Sequence, residues 1–257
     1  MTSRWFVRLR THGEARKRLV CFPSAGAGAS AFARWPEQLP RDVELWAVQL
    51  PGRETRVREP PVSDFGALTE EIALGLQPVL ALPFAFFGHS MGAVLAFEVA
   101  RALARKGSPT PGHLFVSARR PPRVPDSDSP MRHLADAEFV AEIGRRYGGI
   151  RAEVVEEKEL LALLLPMLRA DVTALETYRP VPGPPLACPI AVFGGSDDRR
   201  TPREHLEAWR GETTGAFRIR VFPGDHYYLT PHRADLLADL SAAMASLTGL
   251  AAREAVA

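Results

Sequence analysis

The pentapeptide Gly88-His89-Ser90-Met91-Gly92 follows the apolar run FAFF and precedes the amphipathic stretch MGAVLAFEVARALARK. A serine on a sharp strand-to-helix turn, with small residues on both flanks, fits a nucleophile elbow that keeps Oγ exposed. The pentapeptide alone is a weak pattern; its strand–turn–helix setting makes it a strong one. A free serine hydroxyl is a poor nucleophile, so a base has to stand beside it, and behind such an elbow the partners follow in the order serine, acid, histidine.

Two downstream loops supply those partners. After PIAVF comes Gly194-Gly195-Ser196-Asp197-Asp198-Arg199-Arg200-Thr201-Pro202, and after FRIRVF comes Pro223-Gly224-Asp225-His226-Tyr227-Tyr228. Both put polar residues just past the carboxyl ends of expected parallel strands, the edge at which open α/β sheets build their sites. Of the seven histidines, His226 alone has that setting and is the expected general base. His89 lies inside the elbow, and His12, His113, His133, His205 and His232 read as surface or strand-edge residues. For the acid, Asp198 is preferred because it stands three residues after Gly195 and four before the helix-opening Pro202. Asp197 is the alternative and reads otherwise as a turn cap, with Asp225 third.

Acyl chemistry at Ser90 also requires donors for an oxyanion. One is expected from the N–H of Met91, next after the nucleophile, and the other from the loop after an early strand, Pro23-Ser24-Ala25-Gly26-Ala27-Gly28, at the amide of Ala25. A dinucleotide fingerprint does not fit that loop, because the glycine spacing is wrong and no acidic residue closes the following strand at Trp46–Leu50. No His/Cys/Asp cluster has metal-ligand spacing, so neither a metal nor a cofactor is expected.

These loops need a frame. Strands are expected at Trp5–Leu9, Arg18–Phe22, Glu44–Leu50, Phe84–Phe87, His113–Ser117, Pro189–Phe193 and Phe217–Phe222, the middle ones nearly continuous in apolar residues, as strands buried on both faces are. Helical periodicity covers Phe65–Leu80, Met91–Lys106, Pro202–Gly211 and Pro231–Leu247. The alternation predicts an α/β fold with a mostly parallel central sheet flanked by helices. It breaks once, where Asp136–Tyr147 and Glu153–Tyr178 read as consecutive helices without a strand between them. A helical lid insertion over about 121–182 of a single domain, 1–257, is therefore expected, followed by a frayed tail after Gly249.

The bulk numbers agree with one soluble domain: 257 residues, 46% hydrophobic, 24% charged, net charge +2. Scattered arginines give no reason to expect nucleic-acid binding. No apolar stretch reaches the ~18 residues of a membrane span, and Met1–Arg18 is polar and basic, which points to the cytoplasm. Cys21 and Cys188 sit in apolar runs and read as buried thiols, not as a disulfide. No strand or helix advertises an unpaired apolar face, so a monomer is expected.

Several separated motifs, spanning nearly the whole chain, resemble the type II thioesterases that accompany polyketide synthases and nonribosomal peptide synthetases, within the α/β-hydrolase superfamily. They are CFPSAGAGAS, VQLPGRETR at Gln49–Arg56, FFGHSMGA, LLPMLRADVTALETY at Leu164–Tyr178, GGSDD and PGDHYYL. LPGRE beside GHSMG is far more specific than either alone. One departure stands out: the family shows a Gly-Gly pair after the early Pro-x-Ala, whereas here Gly26 precedes Ala27 and Gly28. The resemblance implies hydrolysis of acyl thioesters from the phosphopantetheine arm of acyl or peptidyl carrier proteins, which clears stalled or aberrant units. It also carries Arg53, Glu54 and Arg56, either as a structural salt bridge or as carrier-recognition residues. The leucines of Leu160–Leu165 are candidates to shelter the acyl chain, though ordinary core packing suits most of them better. The rivals are a general carboxylesterase or an acyltransferase of the same fold, and a non-catalytic binding module, which would have no need of a complete serine, acid and histidine set.

Overall fold

The computed structural model describes residues 3–10, 15–148 and 157–247. Seven strands form one sheet: β1 (Phe6–Arg10), β2 (Lys17–Phe22), β3 (Val43–Val48), β4 (Phe84–His89), β5 (His113–Ser117), β6 (Ile190–Gly195) and β7 (Phe217–Phe222), in the order β1-β3-β2-β4-β5-β6-β7. Among the described strands only β1 runs antiparallel to its neighbour, β3, and every other pair is parallel. Because β2, β4, β5, β6 and β7 share one direction, the loops that follow them all emerge at the same edge.

Strand side chains alternate between the two faces, and the core divides accordingly. Val20, Phe86, Val116 and Val192 point to one face, under the helices α1 (Phe65–Gly75) and α2 (Met91–Arg105). Cys21, Phe87, Phe115 and Phe193 point to the other, under a helix at Arg233–Ala245 and the 3₁₀ turn Ala29–Phe32. Apolar residues on both faces of a strand are what made these strands nearly continuous hydrophobic runs. α2 is buried along most of its length, from Met91 to Leu103, and lies directly behind the elbow.

Between β5 and β6 the chain forms α3 (Asp136–Tyr147) and α4 (Lys158–Thr177). They share a separate small core of Met131, Phe139, Val140, Ile143, Leu165 and Val172. The expected start of α4 at 153–156 lies outside the described residues, as do His12 and the tail after Gly249. Two further helices follow, α5 (Arg203–Glu207) and α6 (Arg233–Ala245).

Helix ends moved from their expected places for local reasons. α1 is capped by Asp64, whose side chain accepts from the N–H of Ala67 at 3.0 Å. It stops at Gly75 rather than Leu80, because Pro78 has no N–H to continue the ladder and disfavours helical geometry in Gln77. The helix expected at Pro202–Gly211 is five α-helical residues that tighten into a 3₁₀ segment over Ala208–Glu212. Both cysteines are free thiols; burial pushes Cys21 well up and Cys188, which lies half-buried just before β6, up to about 12. No described helix is long and apolar enough to cross a membrane.

Phe87 in β4 is fully buried against Trp35, ring centroids 4.8 Å apart. Phe87→Ala should lower the free energy of unfolding by about 3–5 kcal/mol in urea titrations at constant slope, since the sheet cannot collapse into the void.

Candidate active site

Ser90 occupies the junction of β4 and α2 at φ 54° and ψ −115°, a conformation rare for a residue with a Cβ. Its N–H donates to the carbonyl of Ser117 at the end of β5, 2.8 Å away, which fixes the turn to the neighbouring strand. The two glycines answer a packing need. A Cβ on Gly88 would run into the backbone of Gly92, and one on Gly92 into the carbonyl of Phe22. Helix, elbow and β2 approach too closely there for any side chain.

His226, after β7, and Asp198, after β6, meet through a 2.8 Å hydrogen bond between Nδ1 and Oδ2. Ionised carboxylate oxygens only accept, so Nδ1 carries the proton and Nε2 is left as the acceptor. Asp198 is itself fixed by Thr201 Oγ1, which donates to Oδ2 at 2.6 Å, and by the N–H of Arg200 to Oδ1 at 2.9 Å. Burial works to raise the Asp198 pKa, but the donors His226, Thr201 and Arg200 outweigh it and hold the carboxyl below its usual range. The other two acids are turned elsewhere. Asp197 is exposed and accepts from Ser196 Oγ at 3.2 Å, while Asp225 is exposed and receives the N–H of Tyr227 at 2.8 Å.

Ser90, His226 and Ala25 line one cavity of about 550 Å³. Ala25 is the second residue of a turn closed by Ala27 N–H to Ser24 O at 3.1 Å, with Gly26 third at φ 75°, as a type II turn requires. Ala27 takes no positive φ, so alanine fits where the family shows glycine. Met91 opens α2, where the first N–H groups have no partner within the helix. The far wall is α4, through Leu168, Val172 and Leu175. None of Leu160–Leu165 lines the cavity; Leu160 and Leu163 are exposed and Leu165 packs in the small core. The part of the apolar lining that α4 contributes comes from its next turns, at Leu168, Val172 and Leu175.

Several further groups surround the site. His89 is buried, with Nδ1 2.9 Å from Ser117 Oγ, which lies 2.6 Å from Tyr228 Oη. Burial first, then the nearby His226, holds the His89 pKa well below its ordinary value, so it stands neutral at physiological pH. Tyr147 of α3 packs on His226 with ring centroids 5.1 Å apart. Arg53 and Arg56 are buried. Arg56 is paired with Glu59 at 2.6 Å and lies over the Trp5 ring, and Arg53 pairs with Asp171, so neither side chain is offered at the surface as carrier recognition would require. Glu54 instead braces the Ser30 N–H and hydroxyl, at 3.1 and 2.5 Å. An acid at position 171 was legible in one way: it lies in the apolar stripe of α4, three residues after Leu168 and four before Leu175, where a carboxylate needs a buried partner.

A hydroxyl on a strained strand-to-helix turn, with a histidine–aspartate pair on the same sheet edge, defines an α/β-hydrolase of the serine type. Residues 17–244 match the model of the thioesterase domain family. The chain is 39% identical over 91% of its length to the gramicidin S biosynthesis protein GrsT of Aneurinibacillus migulanus, covering 91% of that protein. Among solved structures it superimposes on the type II thioesterase BorB from the borrelidin biosynthetic cluster (TM-score 0.85, 36% identity, 93% of this chain and 97% of that one). The prodiginine-pathway thioesterase RedJ of Streptomyces coelicolor is as near (TM-score 0.83, 43% identity, 89% and 91%). The chain belongs to the thioesterase family, and it is a thioester hydrolase.

Two outcomes follow from this geometry. Asp198→Asn should lower kcat by roughly 10³–10⁴-fold while Asp197→Asn leaves it within about twofold, in steady-state hydrolysis of a small acyl thioester. For His89 the folded pKa lies below the unfolded one, so the unfolded chain binds the proton first and stability falls as pH drops through about 6.5. Wild type should lose stability from this group as the pH falls below about 6.5, and His89→Gln should remove that component in urea titrations.

Proposed function

We propose that the chain is an editing type II thioesterase that hydrolyses acyl or peptidyl units from the phosphopantetheine arm of carrier proteins in polyketide or nonribosomal peptide synthesis. The single observation that carries the reading is the convergence of Ser90, His226 paired to Asp198, and the Ala25 loop on one cavity, in a chain of the thioesterase family. The names of its relatives, tied to gramicidin S, borrelidin and prodiginine, support the setting. So does the cavity wall, where Arg179 stands exposed beside five further arginines, cations that suit the phosphodiester of a pantetheine arm.

In the reaction, Ser90 Oγ attacks the thioester carbonyl as His226 Nε2 takes its proton, and the amides of Met91 and Ala25 receive the developing oxyanion. The C–S bond breaks, and the pantetheine thiol leaves with the proton from His226. A thiol is a good leaving group, so no stronger acid is required. Water then attacks the Ser90 ester with His226 again as base, the acid is released, and the proton returns to Oγ. α3 and α4 act as a lid, with Leu168, Val172 and Leu175 against the acyl chain.

The test is mass spectrometry of an acylated carrier protein incubated with wild type or with Ser90→Ala. Wild type should remove the acyl group and the variant should not, at unchanged melting temperature. Acyl loss at the wild-type rate with Ser90→Ala would end the reading, and cleavage of oxygen esters without release from the carrier would favour a general esterase.

A further inference from the structure

Asp171 stands on α4 and is bound directly to the loop that carries Ala25. Its side chain is 1% exposed and that of Arg53 is 3% exposed. The two form a bidentate pair, with Arg53 Nη1 to Oδ2 and Nη2 to Oδ1 both at 2.7 Å. Oδ2 also accepts the N–H of Gly26 at 2.8 Å, and Arg53 Nη1 donates to the carbonyl of Ala27 at 2.9 Å. Gln49 extends the brace, its Nε2 donating to the Arg53 carbonyl at 3.0 Å and its Oε1 accepting the Ala29 N–H at 3.3 Å.

The consequence for Ala25 follows from peptide planarity. The Ser24 carbonyl and the Ala25 N–H belong to one rigid trans unit and point in opposite directions. The hydrogen bond from Ala27 N–H turns that carbonyl into the turn, so the Ala25 N–H points outward from it. The next unit, Ala25–Gly26, is fixed by the Gly26 N–H on Asp171. Both peptide planes flanking the Ala25 Cα are therefore set, one by the turn and one by a carboxylate delivered from the helix that walls the cavity.

We propose that Asp171 and Arg53 are positioning residues for the oxyanion donor at Ala25: the helix that contacts the acyl chain through Leu168, Val172 and Leu175 also sets the loop that stabilises its transition state. This rests on the reading of Ala25 as that donor. An ion pair this deeply buried contributes little net stability over an apolar pair, since desolvation offsets most of its attraction, whereas a donor misplaced by about 1 Å costs about 10²-fold in rate. Fixing the loop is what the charge pair adds.

The experiment compares wild type, Asp171→Ala, Asp171→Asn, Arg53→Lys and Ser90→Ala on a short acyl-pantetheine thioester. The second readout is affinity for a trifluoromethyl ketone analogue, which adds to the serine as a tetrahedral oxyanion. Asp171→Ala should lower kcat by roughly 10–100-fold with KM within about threefold, and weaken the ketone by the same factor as kcat/KM. Asp171→Asn keeps an acceptor for the Gly26 N–H and should recover part of the loss. A merely structural role would lower the amount of folded enzyme and leave kcat per titrated serine and ketone affinity at wild-type values; that result would overturn the proposal. Should Asp171→Ala not fold, Asp171→Asn and Arg53→Lys decide by the same two readouts, wild-type values again overturning it. Hydrolysis surviving in Ser90→Ala would instead overturn the reading of the site itself.

Discussion

Ser90 holds a backbone conformation that costs about 1–3 kcal/mol for a residue with a side chain, and the fold around it is arranged so that no relaxed alternative is open. On one side β4 is locked in the centre of the parallel sheet, in register with β2 and β5. On the other, α2 is buried almost throughout and cannot shift its first turn. The Ser90 N–H bond to Ser117 and the bare backbone contacts at Gly88 and Gly92 close the remaining freedom. The hydroxyl is thereby presented at the sheet edge where the other loops emerge.

Parallel pairing does the rest of the assembly. Residues far apart in the chain, in the loops after β2, β6 and β7, reach one cavity because their strands end at one edge. The charges there are then kept in definite states. Asp198 is held ionised by three donors and faces a protonated Nδ1, while His89, on the same elbow, is kept neutral by burial. A second cation beside His226 would oppose the imidazolium that forms during catalysis, so a neutral His89 serves the reaction as well as the packing.

Much of this was legible in the residues. The strands declared themselves because burial on both faces leaves almost no polar positions, and the elbow because its glycines are imposed by backbone contacts rather than by preference. Asp198 could be favoured over Asp197 by its place before the helix-opening Pro202; the structure puts it against His226 and turns Asp197 outward. What was not legible depends on tertiary contacts. The apolar lining from Leu168, Val172 and Leu175 instead of Leu160–Leu165, and the pairing of Arg53 with Asp171, 118 positions away, are fixed by which faces meet. Locally, Asp171 is marked only by its place in the apolar stripe of α4.

In the proposed mechanism Ser90 carries the acyl group between thiol and water. Rapid-quench peptide mass spectrometry of the enzyme mixed with a slowly hydrolysed acyl thioester tests it most directly. The acyl mass should appear on the peptide containing Ser90, formed faster than free acid. Acylation at another residue, or acid formed with no enzyme adduct under conditions that trap a serine ester, would contradict it.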